Sequence, residues 1–439
     1  IKLLRLSFEG GMELTEILKK DLKNNKFKEE LAEIYCVKPA KTAFYAERFL
    51  NVIDNFEKTF APAEHISLFS APGRTEIGGN HTDHQHGCIL AASINLDIIA
   101  AAAPNNQNII RIQSEGYPLD VINLDELQPD KREYNQAKAL IRGVAAKFKA
   151  AGYEVKGFDA YTSSNVLKGS GLSSSAAFEV LIGNIINGLF CNGKVSAVEI
   201  AKAGQDAENI YFGKPSGLMD QMASSVGSAV AIDFKDTENP KIQKVNFDFT
   251  KTGYALCIID SGADHSDLTD EYATIPAEMK TIAEFFNKKY LREVNKDEFI
   301  KHIPQLRKKA GDRAVLRALH YFNDSERAKE EAKALQNGDF TKFLSIINKS
   351  GKSSFMYLQN VNVCGSSAEQ AVAVVLAMCD EVLKDRGAFR VHGGGFAGTV
   401  QAFVPEELLD EFKTRIEAVT GIGTCHILSI RPYGGIQFK

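Results

Sequence analysis

The pattern of apolar and polar positions changes near residue 67, from amphipathic helical spacing to short β-rich runs separated by Gly, Pro and Asn. The β-rich runs predict strands over 66–70, 89–94, 98–102, 109–113, 157–162, 254–259, 399–404 and 425–431. Helical spacing predicts helices within 11–60, over 134–150, 174–189 and 367–383, and in a charged region over 276–348. This mixed order, with a helix-rich middle, predicts an α+β protein of two closely packed halves.

The most apolar region runs from Cys88 to Ala103 and is interrupted by Ser93, Asn95 and Asp97. It is shorter than the roughly 18–20 residues that a membrane-spanning helix needs. We interpret it as one or two buried strands. The first eight residues lack the basic start and long apolar stretch of a signal peptide, so we expect no membrane association.

Length and composition narrow the classes of function. A chain of 439 residues usually forms two domains. The formal net charge of −4 gives no support for a nucleic-acid-binding protein, which normally presents a basic face. The seven cysteines are scattered and include no pair with zinc-knuckle spacing, which favours reduced thiols in a cytoplasmic protein.

A Gly/Ser-rich segment, Gly169–Ala177, follows a predicted strand and opens a predicted helix. The free backbone N–H groups and the partial positive charge of a helix start favour bound phosphate. Glycines at 169 and 171 allow close backbone approach to an anion, and the hydroxyl groups of Ser173, Ser174 and Ser175 could ligate Mg²⁺. An ordinary linker before a serine-capped helix is the alternative.

A dense polar cluster occupies Ala71–Gly87, between β-like runs. Polar groups at this density are costly to bury unless they are solvated or bind something. Three interpretations stay open: recognition of sugar hydroxyl groups, a solvated loop, or a metal site. The ligand types for a metal site are His81, Asp83, His84 and His86, although their spacing fits no helix face.

Two carboxylates have the complementary roles that phosphoryl transfer requires. Asp220 lies in the turn-like segment Lys214–Gln221, and Glu208 lies twelve positions earlier on a helical segment. One could accept a hydroxyl proton while the other helps to hold Mg²⁺. The triple glycine within His392–Gly398 could let the backbone approach a nucleotide, or form a tight structural turn.

Together these segments resemble the GHMP superfamily of small-molecule kinases. Pro72–Gly87 is similar to the sugar signature of the galactokinase family, Gly169–Ala177 to the phosphate loop, and Gly213–Gln221 to the segment that carries the catalytic acid. Gly393–Gly398 resembles the third, glycine-rich motif. All occur in family order, and the resemblance spans residues 65–439.

The resemblance implies roles for individual residues. Asp220 would be the catalytic carboxylate, and Arg74 would keep it ionised and stabilise developing charge. Ser175 and Glu208 would hold Mg²⁺. The phosphates of ATP would be bound by Gly169, Ser170, Gly171, Leu172, Ser173, Ser174 and Ser175. The sugar would be bound by Asn80, His81, Thr82, Asp83, Gly217 and Tyr272.

The chain departs from the family pattern at several positions of the sugar signature. Asn80 replaces the usual Glu, which in the family lies near C6 of the sugar, and His84 replaces a Tyr. The family's Val-Asn-Leu run is Thr75–Ile77 here, which places Glu76 where the family has Asn. Because an amide both donates and accepts, Asn80 could tolerate a different C6 substituent.

The implied fold is the two-domain GHMP kinase architecture, with an N-terminal domain like ribosomal protein S5 domain 2 and a ferredoxin-like C-terminal domain. We expect a helical extension over 1–64, for which we assign no purpose, and the two kinase domains over 65–245 and 246–439. The implied activity is phosphorylation of α-D-galactose at C1 by a monomer that uses ATP and Mg²⁺. The alternatives are a sugar 1-kinase for a modified hexose (N-acetylgalactosamine, galacturonate, fucose or arabinose) and a non-catalytic sugar sensor.

Overall fold

The computed structural model describes residues 14–60, 62–63, 65–167, 171–263 and 268–438. Within these ranges the chain forms twelve strands in two sheets. The strands are β1 (Ser67–Gly78), β2 (Cys88–Pro104), β3 (Ile109–Ser114), β4 (Leu119–Asn123), β5 (Phe158–Ser164), β6 (Ala229–Asp233), β7 (Lys241–Val245), β8 (Tyr254–Asp260), β9 (Ala388–His392), β10 (Thr399–Pro405), β11 (Cys425–Leu428) and β12 (Ile436–Gln437).

The same ranges contain fourteen α-helices and two π-helical segments, Ala207–Phe212 and Ser354–Leu358. The α-helices are α1 (Leu14–Lys23), α2 (Lys28–Tyr35), α3 (Ala43–Phe60), α4 (Ala137–Ala150), α5 (Ser174–Phe190), α6 (Ala197–Asp206), α7 (Met219–Val226), α8 (Thr269–Phe285), α9 (Lys296–Lys301), α10 (Ile303–Ala310), α11 (Asp312–Gln336), α12 (Phe340–Ser353), α13 (Ala371–Leu383) and α14 (Leu409–Thr420). None of the helices in the described ranges has both the length and the apolar character that crossing a bilayer demands.

The large sheet has eight strands and is organised around β2. Its main path runs β12-β1-β2-β5-β3-β4. The 17-residue β2 pairs with β6 through Cys88–Ala92 and with β5 through Ile98–Pro104, and β6 in turn pairs with β7. The apolar region of the sequence is therefore one long central strand that serves two sheet partners along the same edge.

Helices cover both faces of this sheet, which explains why β2 is apolar without alternation. Ile99, Ala101 and Ala103 face the N-terminal helices α1–α3, whereas Ala100 and Ala102 face the core that α4 and α5 share. The N-terminal helices, for which the sequence suggested no purpose, thus complete one layer of the large-sheet domain.

A buried ion-pair network at Asp97 fixes these helices and the chain end to β2. The Asp97 side chain is fully buried; its carboxylate accepts from Arg48 of α3 at 2.7 Å and from the Tyr35 hydroxyl of α2 at 2.6 Å. Arg431, near the chain end, is 3.3 Å away. Burial raises the pKa of Asp97, but the charges of Arg48 and Arg431 outweigh it and hold the pKa below its ordinary value.

The small sheet has the strand order β11-β8-β10-β9, with every pair antiparallel. In chain order this is 4-1-3-2, the order of a ferredoxin-like βαββαβ unit. Helices α13 and α14 pack on one face, and residues of the other face, including Leu256, Ile258 and Phe403, join the core of the large sheet. The two sheets therefore share a continuous interface.

The predicted α+β class is confirmed, and the observed elements differ from expectation mainly in extent. The strand predicted over 66–70 continues to Gly78, so Arg74 lies in β1 rather than in a turn. The segment around Asp220 is the first turn of α7 rather than an isolated turn. The large sheet ends at Val245 in the chain and resumes at β12, while the domain division at 245/246 stays a prediction.

Candidate active site

Arg74 joins three of the sequence motifs at the interface between β1 and the phosphate loop. Its backbone N–H donates to the carbonyl of Leu172 at 3.1 Å, and its guanidinium group donates to the carbonyl of Gly171. A Cβ at Gly73 would lie 2.9 Å from the Leu172 carbonyl oxygen, so the close approach of β1 to the loop requires glycine. The register of β1 against β2 shifts at this point, between Pro72 and Arg74.

Asp220 forms a bidentate ion pair with Arg74. Nε donates to Oδ1 at 2.7 Å and Nη2 donates to Oδ2 at 2.7 Å, and the hydroxyl group of Ser173 also donates to Oδ2. Burial raises the pKa of Asp220, but the charge and hydrogen bonds of Arg74 outweigh it, so the pKa lies below its ordinary value. Asp220 is therefore an ionised carboxylate held in one orientation, with about a quarter of its side chain exposed.

The described part of the phosphate loop leads directly into α5. Gly171 has a φ of +69° and Ser173 a φ of +54°, so both adopt the left-handed conformation. Ser174 and Ser175 form the first turn of α5, whose leading N–H groups have no intrahelical acceptors. The predicted phosphate-binding residues Gly169 and Ser170 lie outside the described residues.

Ser175 and Glu208, the predicted magnesium ligands, lie side by side. The Ser175 hydroxyl donates to Oε1 of Glu208 at 3.2 Å, and Nζ of Lys214 donates to the same oxygen at 2.7 Å. Gln221 donates to the other oxygen, Oε2, at 3.0 Å and to the buried Glu179 at 2.9 Å. The carboxylate is therefore fixed from both sides and already faces a cation.

Asp83 lies close to Gly217, and Thr82 supports the loop that carries Asp83. A Cβ at Gly217 would lie 3.0 Å from Oδ2 of Asp83, which brings that carboxylate to the loop that precedes α7. Burial raises the pKa of Asp83; the charge of His81 opposes this and that of Asp220 adds to it. The buried Thr82 hydroxyl donates to the carbonyls of Gly79 and Cys88 at 2.8 Å each and so supports the loop that carries Asp83.

Three other predicted sugar-binding residues contact the triple-glycine loop instead of open space. Asn80 donates to the carbonyl of Gly393, His81 Nε2 contacts the carbonyl of Gly394, and the Tyr272 hydroxyl donates to the carbonyl of Gly395. Their part in sugar binding stays a prediction. The structure thus sets these three residues against the triple-glycine loop, whereas Arg74 and Ser173 both contact Asp220.

His392 is a member of the site that the sequence did not single out. It lies between Thr75 Oγ1 at 3.1 Å and Thr399 Oγ1 at 2.9 Å, and a Cβ at Gly171 would be 3.5 Å from its ring. Burial lowers the pKa of His392 to about 3, and the charges of Arg74 and Arg390 act in the same direction. A neutral imidazole therefore separates β1 from the glycine-rich loop.

The other members that the sequence analysis missed are Lys214, Gln221, Glu179 and Asn360. Lys214 and Gln221 were within reach of sequence reasoning, because both lie in the quoted Lys214–Gln221 segment. Glu179 and Asn360 carry no local signal, since only the fold brings them to Gln221 and to Asn80. In the described ranges no group of three His, Cys, Asp or Glu side chains could hold a metal ion, which leaves the four-ligand interpretation of 81–86 without support.

Two family models match the chain. Residues 54–104 match the galactokinase galactose-binding signature, and residues 139–228 match the N-terminal domain of the GHMP kinases. The first match contains Arg74 and Asp83, and the second contains the phosphate loop, Glu208 and Asp220. The two matched regions thus contact each other through the Arg74–Asp220 ion pair.

Solved structures share this fold. A Lactococcus lactis galactokinase complexed with galactose is 24% identical, with a TM-score of 0.74 over 89% of this chain and 99% of that chain. A D-glycero-D-manno-heptose 1-phosphate kinase from Bacteriodes thetaiotaomicron is 16% identical, with a TM-score of 0.57 over 85% of this chain and 99% of that chain. The Methanococcus jannaschii mevalonate kinase is 16% identical, with a TM-score of 0.56 over 86% of this chain and 98% of that chain.

The fold and the two family models agree with the local geometry. The structural neighbours share the two-sheet α+β architecture, and the galactose-binding signature distinguishes this chain within that architecture. Together the two matches indicate a phosphotransferase whose acceptor is an alcohol group. The chain therefore resembles the GHMP kinases through the N-terminal domain matched over residues 139–228 and, among them, the galactokinases through the galactose-binding signature over residues 54–104.

Proposed function

We propose that the protein transfers the γ-phosphoryl group of ATP to the C1 hydroxyl group of α-D-galactose, producing galactose 1-phosphate and ADP. One observation carries the proposal: Arg74 binds Asp220 through two hydrogen bonds and the phosphate loop through the Gly171 carbonyl. A group that accepts a hydroxyl proton and a loop suited to phosphate are thus linked through a single side chain. This is the arrangement that direct in-line transfer requires.

Asp220 acts as the base in this proposal. Its ionised carboxylate accepts the proton of the C1 hydroxyl group while the sugar oxygen forms a bond to the γ-phosphorus and the bond to the ADP oxygen breaks. Because the Arg74 charge holds the pKa of Asp220 below its ordinary value, the carboxylate is ready to accept a hydrogen bond from the sugar at neutral pH. Arg74 also stabilises negative charge that develops on the transferred group.

The start of α5 binds the phosphates. The backbone N–H groups of residues 171–175 and the hydroxyl groups of Ser174 and Ser175 supply donors, and the helix start adds partial positive charge. Gly169 and Ser170 complete the proposed loop. Lys214, half-exposed beside Glu208, provides a further positive charge at this end of the cleft.

Ser175 and Glu208 fit a divalent cation. A hydroxyl and a carboxylate are oxygen ligands of the kind that Mg²⁺ prefers, and the Ser175 hydroxyl lies 3.2 Å from Oε1 of Glu208, which supports a shared cation. When bound, Mg²⁺ would neutralise charge on the phosphates. Gln221 keeps the Glu208 carboxylate oriented toward Ser175.

Asp83 is the best-placed group for binding sugar hydroxyls. Its carboxylate lies against Gly217, and a larger residue at 217 would crowd the space where we propose that the sugar ring lies. His81, Thr82 and Tyr272 complete the proposed pocket, either by direct contact or by supporting the loop that carries Asp83. All seven cysteines are unpaired, which supports a cytoplasmic location. The monomeric state stays a prediction.

A second candidate is a sugar 1-kinase for a modified hexose, because Asn80 replaces the family's Glu near C6. An assay of ADP release with galactose, N-acetylgalactosamine, galacturonate, fucose and arabinose separates the candidates. We expect galactose to give the highest kcat/KM. Turnover of another member with galactose inert would replace the first proposal by the second, and galactose binding without turnover of any sugar would indicate a sensor.

A further inference from the structure

The carbonyl groups of the triple-glycine loop point into the sugar signature, where two side chains hold them. Asn80 Nδ2 donates to the Gly393 carbonyl at 2.7 Å, and His81 Nε2 lies 2.9 Å from the Gly394 carbonyl. Because a carbonyl can only accept, Nε2 of His81 carries the proton in this contact. Two adjacent residues of the N-terminal half, Asn80 and His81, therefore bind the carbonyl groups of the loop.

Two residues of the C-terminal half also donate hydrogen bonds to carbonyl groups of the triple-glycine loop. Asn360 Nδ2 donates to the Gly394 carbonyl at 3.1 Å, and the Tyr272 hydroxyl donates to the Gly395 carbonyl at 3.0 Å. Asn360 Nδ2 also donates to Oδ1 of Asn80 at 2.9 Å, so the two groups of contacts are joined. We call Asn80, His81, Tyr272 and Asn360 the carbonyl clamp.

Asn80 is the centre of the carbonyl clamp and has no hydrogen-bonding group to spare. Its Nδ2 donates to Glu76 at 2.9 Å as well as to Gly393, and its Oδ1 accepts from Asn360 and, at 3.4 Å, from the Ser354 hydroxyl. The residue is 1% exposed. An amide with two donors and two acceptor positions, all used inside the protein, cannot also bind a sugar hydroxyl without breaking one of these contacts.

The clamped loop adjoins the phosphate loop. His392 immediately precedes Gly393, and a Cβ at Gly171 would lie 3.5 Å from the His392 ring. Thr75 fixes the same imidazole to β1. Movement of the triple-glycine loop would therefore be transmitted to the surface on which the phosphate loop rests.

We propose that Asn80 is a positioning residue that clamps the triple-glycine loop against the phosphate loop, and that it does not read the C6 substituent of the sugar. The expected change in kcat/KM rests on the proposed function. The expected opening of the triple-glycine loop rests on the contacts alone. The amide at position 80 thereby has a task that a carboxylate could not perform, because a carboxylate would have no donor for Gly393.

The partner of Asn80 supports this assignment. Positions 76 and 80 have exchanged acid and amide relative to the family pattern, and here Glu76 accepts from Asn80 while it pairs with the buried Arg390 at 2.7 Å. A carboxylate at both positions would place like charges together in the interior. The amide group of Asn80 thus donates hydrogen bonds both to Glu76 and to the Gly393 carbonyl of the loop.

The kinetic test compares galactose with 6-deoxygalactose in the Asn80→Asp variant. We expect kcat/KM to fall by about tenfold or more for both sugars, because two buried donors are lost, with their ratio within about threefold of the parent's. The matched control is Asn187→Asp. Asn187 is a buried amide whose side chain forms two hydrogen bonds with the backbone of Val195 and contacts neither the sugar signature nor the triple-glycine loop. A change of more than about tenfold in the ratio would show that Asn80 reads C6 and would overturn the proposal.

The structural test is independent of the sugar. The Phe396 N–H donates to the carbonyl of Asn360 and the Ala397 N–H to the carbonyl of Gly395, so hydrogen exchange at these two amides in the full-length protein reports opening of the loop. We expect exchange at least tenfold faster in Asn80→Asp and unchanged in Asn187→Asp. Unchanged exchange in Asn80→Asp would refute the clamp, whereas parent inactivity toward galactose would refute only the proposed function.

A second variant separates loss of the loop contact from misfolding caused by two carboxylates at positions 76 and 80. Glu76→Gln/Asn80→Asp restores a donor–acceptor pair between positions 76 and 80 but leaves the Gly393 carbonyl without its donor. We expect a thermal midpoint closer to the parent's than that of Asn80→Asp, with loop exchange still fast. Loop exchange restored to the parent rate would contradict the role of the Gly393 contact.

Discussion

Replacing Asp220 with Asn is expected to lower kcat by about a thousandfold or more, while the dissociation constant of ATP stays within a few-fold of the parent value. The amide cannot accept the hydroxyl proton, yet it has nearly the same size and keeps one oxygen for Arg74. Steady-state kinetics together with equilibrium titration of ATP measure both quantities. This is the largest effect that the proposed mechanism predicts.

Asp233→Asn is the matched control for this substitution. Asp233 also accepts two hydrogen bonds from one arginine, Arg292, at 2.9 and 2.7 Å, but it lies in β6, opposite Cys88 of β2, and does not contact the described part of the phosphate loop. We expect a modest loss of stability and a kcat near that of the parent. Activity of Asp220→Asn within tenfold of the parent would remove Asp220 from the role of base.

Replacing Arg74 with Gln is expected to lower kcat/KM by about a hundredfold or more and to shift its pH dependence. In the parent the Arg74 charge outweighs burial, so the pKa of Asp220 is lowered and the carboxylate is ionised across the neutral range. The substitution removes that charge but not the burial. The pKa of Asp220 then rises, and the acid limb of the pH–rate profile moves to higher pH.

Arg74→Gln should also lower the free energy of unfolding at pH values where Asp220 is ionised. A carboxyl group whose pKa is lowered by folding stabilises the protein at pH values above its unfolded pKa, and this stabilisation is lost as the pH falls through the folded pKa. Arg74→Gln removes it. Arg292→Gln is the control, and an unshifted acid limb in Arg74→Gln would show that the arginine does not set the ionisation of Asp220.

Much of the fold follows from periodicity in the sequence. The helix predicted over 174–189 is α5, Ser174–Phe190, and the strand predicted over 254–259 is β8, Tyr254–Asp260. For 88–103 the sequence leaves open one or two buried strands, because Ser93, Asn95 and Asp97 interrupt the apolar run, and the structure shows the single strand β2. One partner that Ser93 and Asp97 share, Arg431, lies 338 and 334 positions away from them in the chain.

The site could be predicted where its residues lie within short motifs. Arg74, Ser173 and Asp220 stand in motifs, and the structure brings them together. Contacts made by tertiary packing alone were beyond sequence reasoning. The hydrogen bond from Asn360 to Asn80 joins residues 280 positions apart, and nothing local to either position indicates it.

The N-terminal helices illustrate the same limit. Their amphipathic pattern shows that one face is buried but does not identify what covers it. The structure shows that α3 lies on the face of β2 opposite the active site core and that Arg48 neutralises Asp97. An extension that seemed additional to the kinase is therefore part of its large-sheet domain.

A crystal structure with galactose and a non-hydrolysable Mg·ATP analogue tests the central claim most directly. The account predicts the C1 hydroxyl oxygen within about 3 Å of the Asp220 carboxylate, with the γ-phosphate at the start of α5. A sugar bound with C1 directed away from Asp220, or a nucleotide whose phosphates lie outside the 171–175 turn, would contradict it.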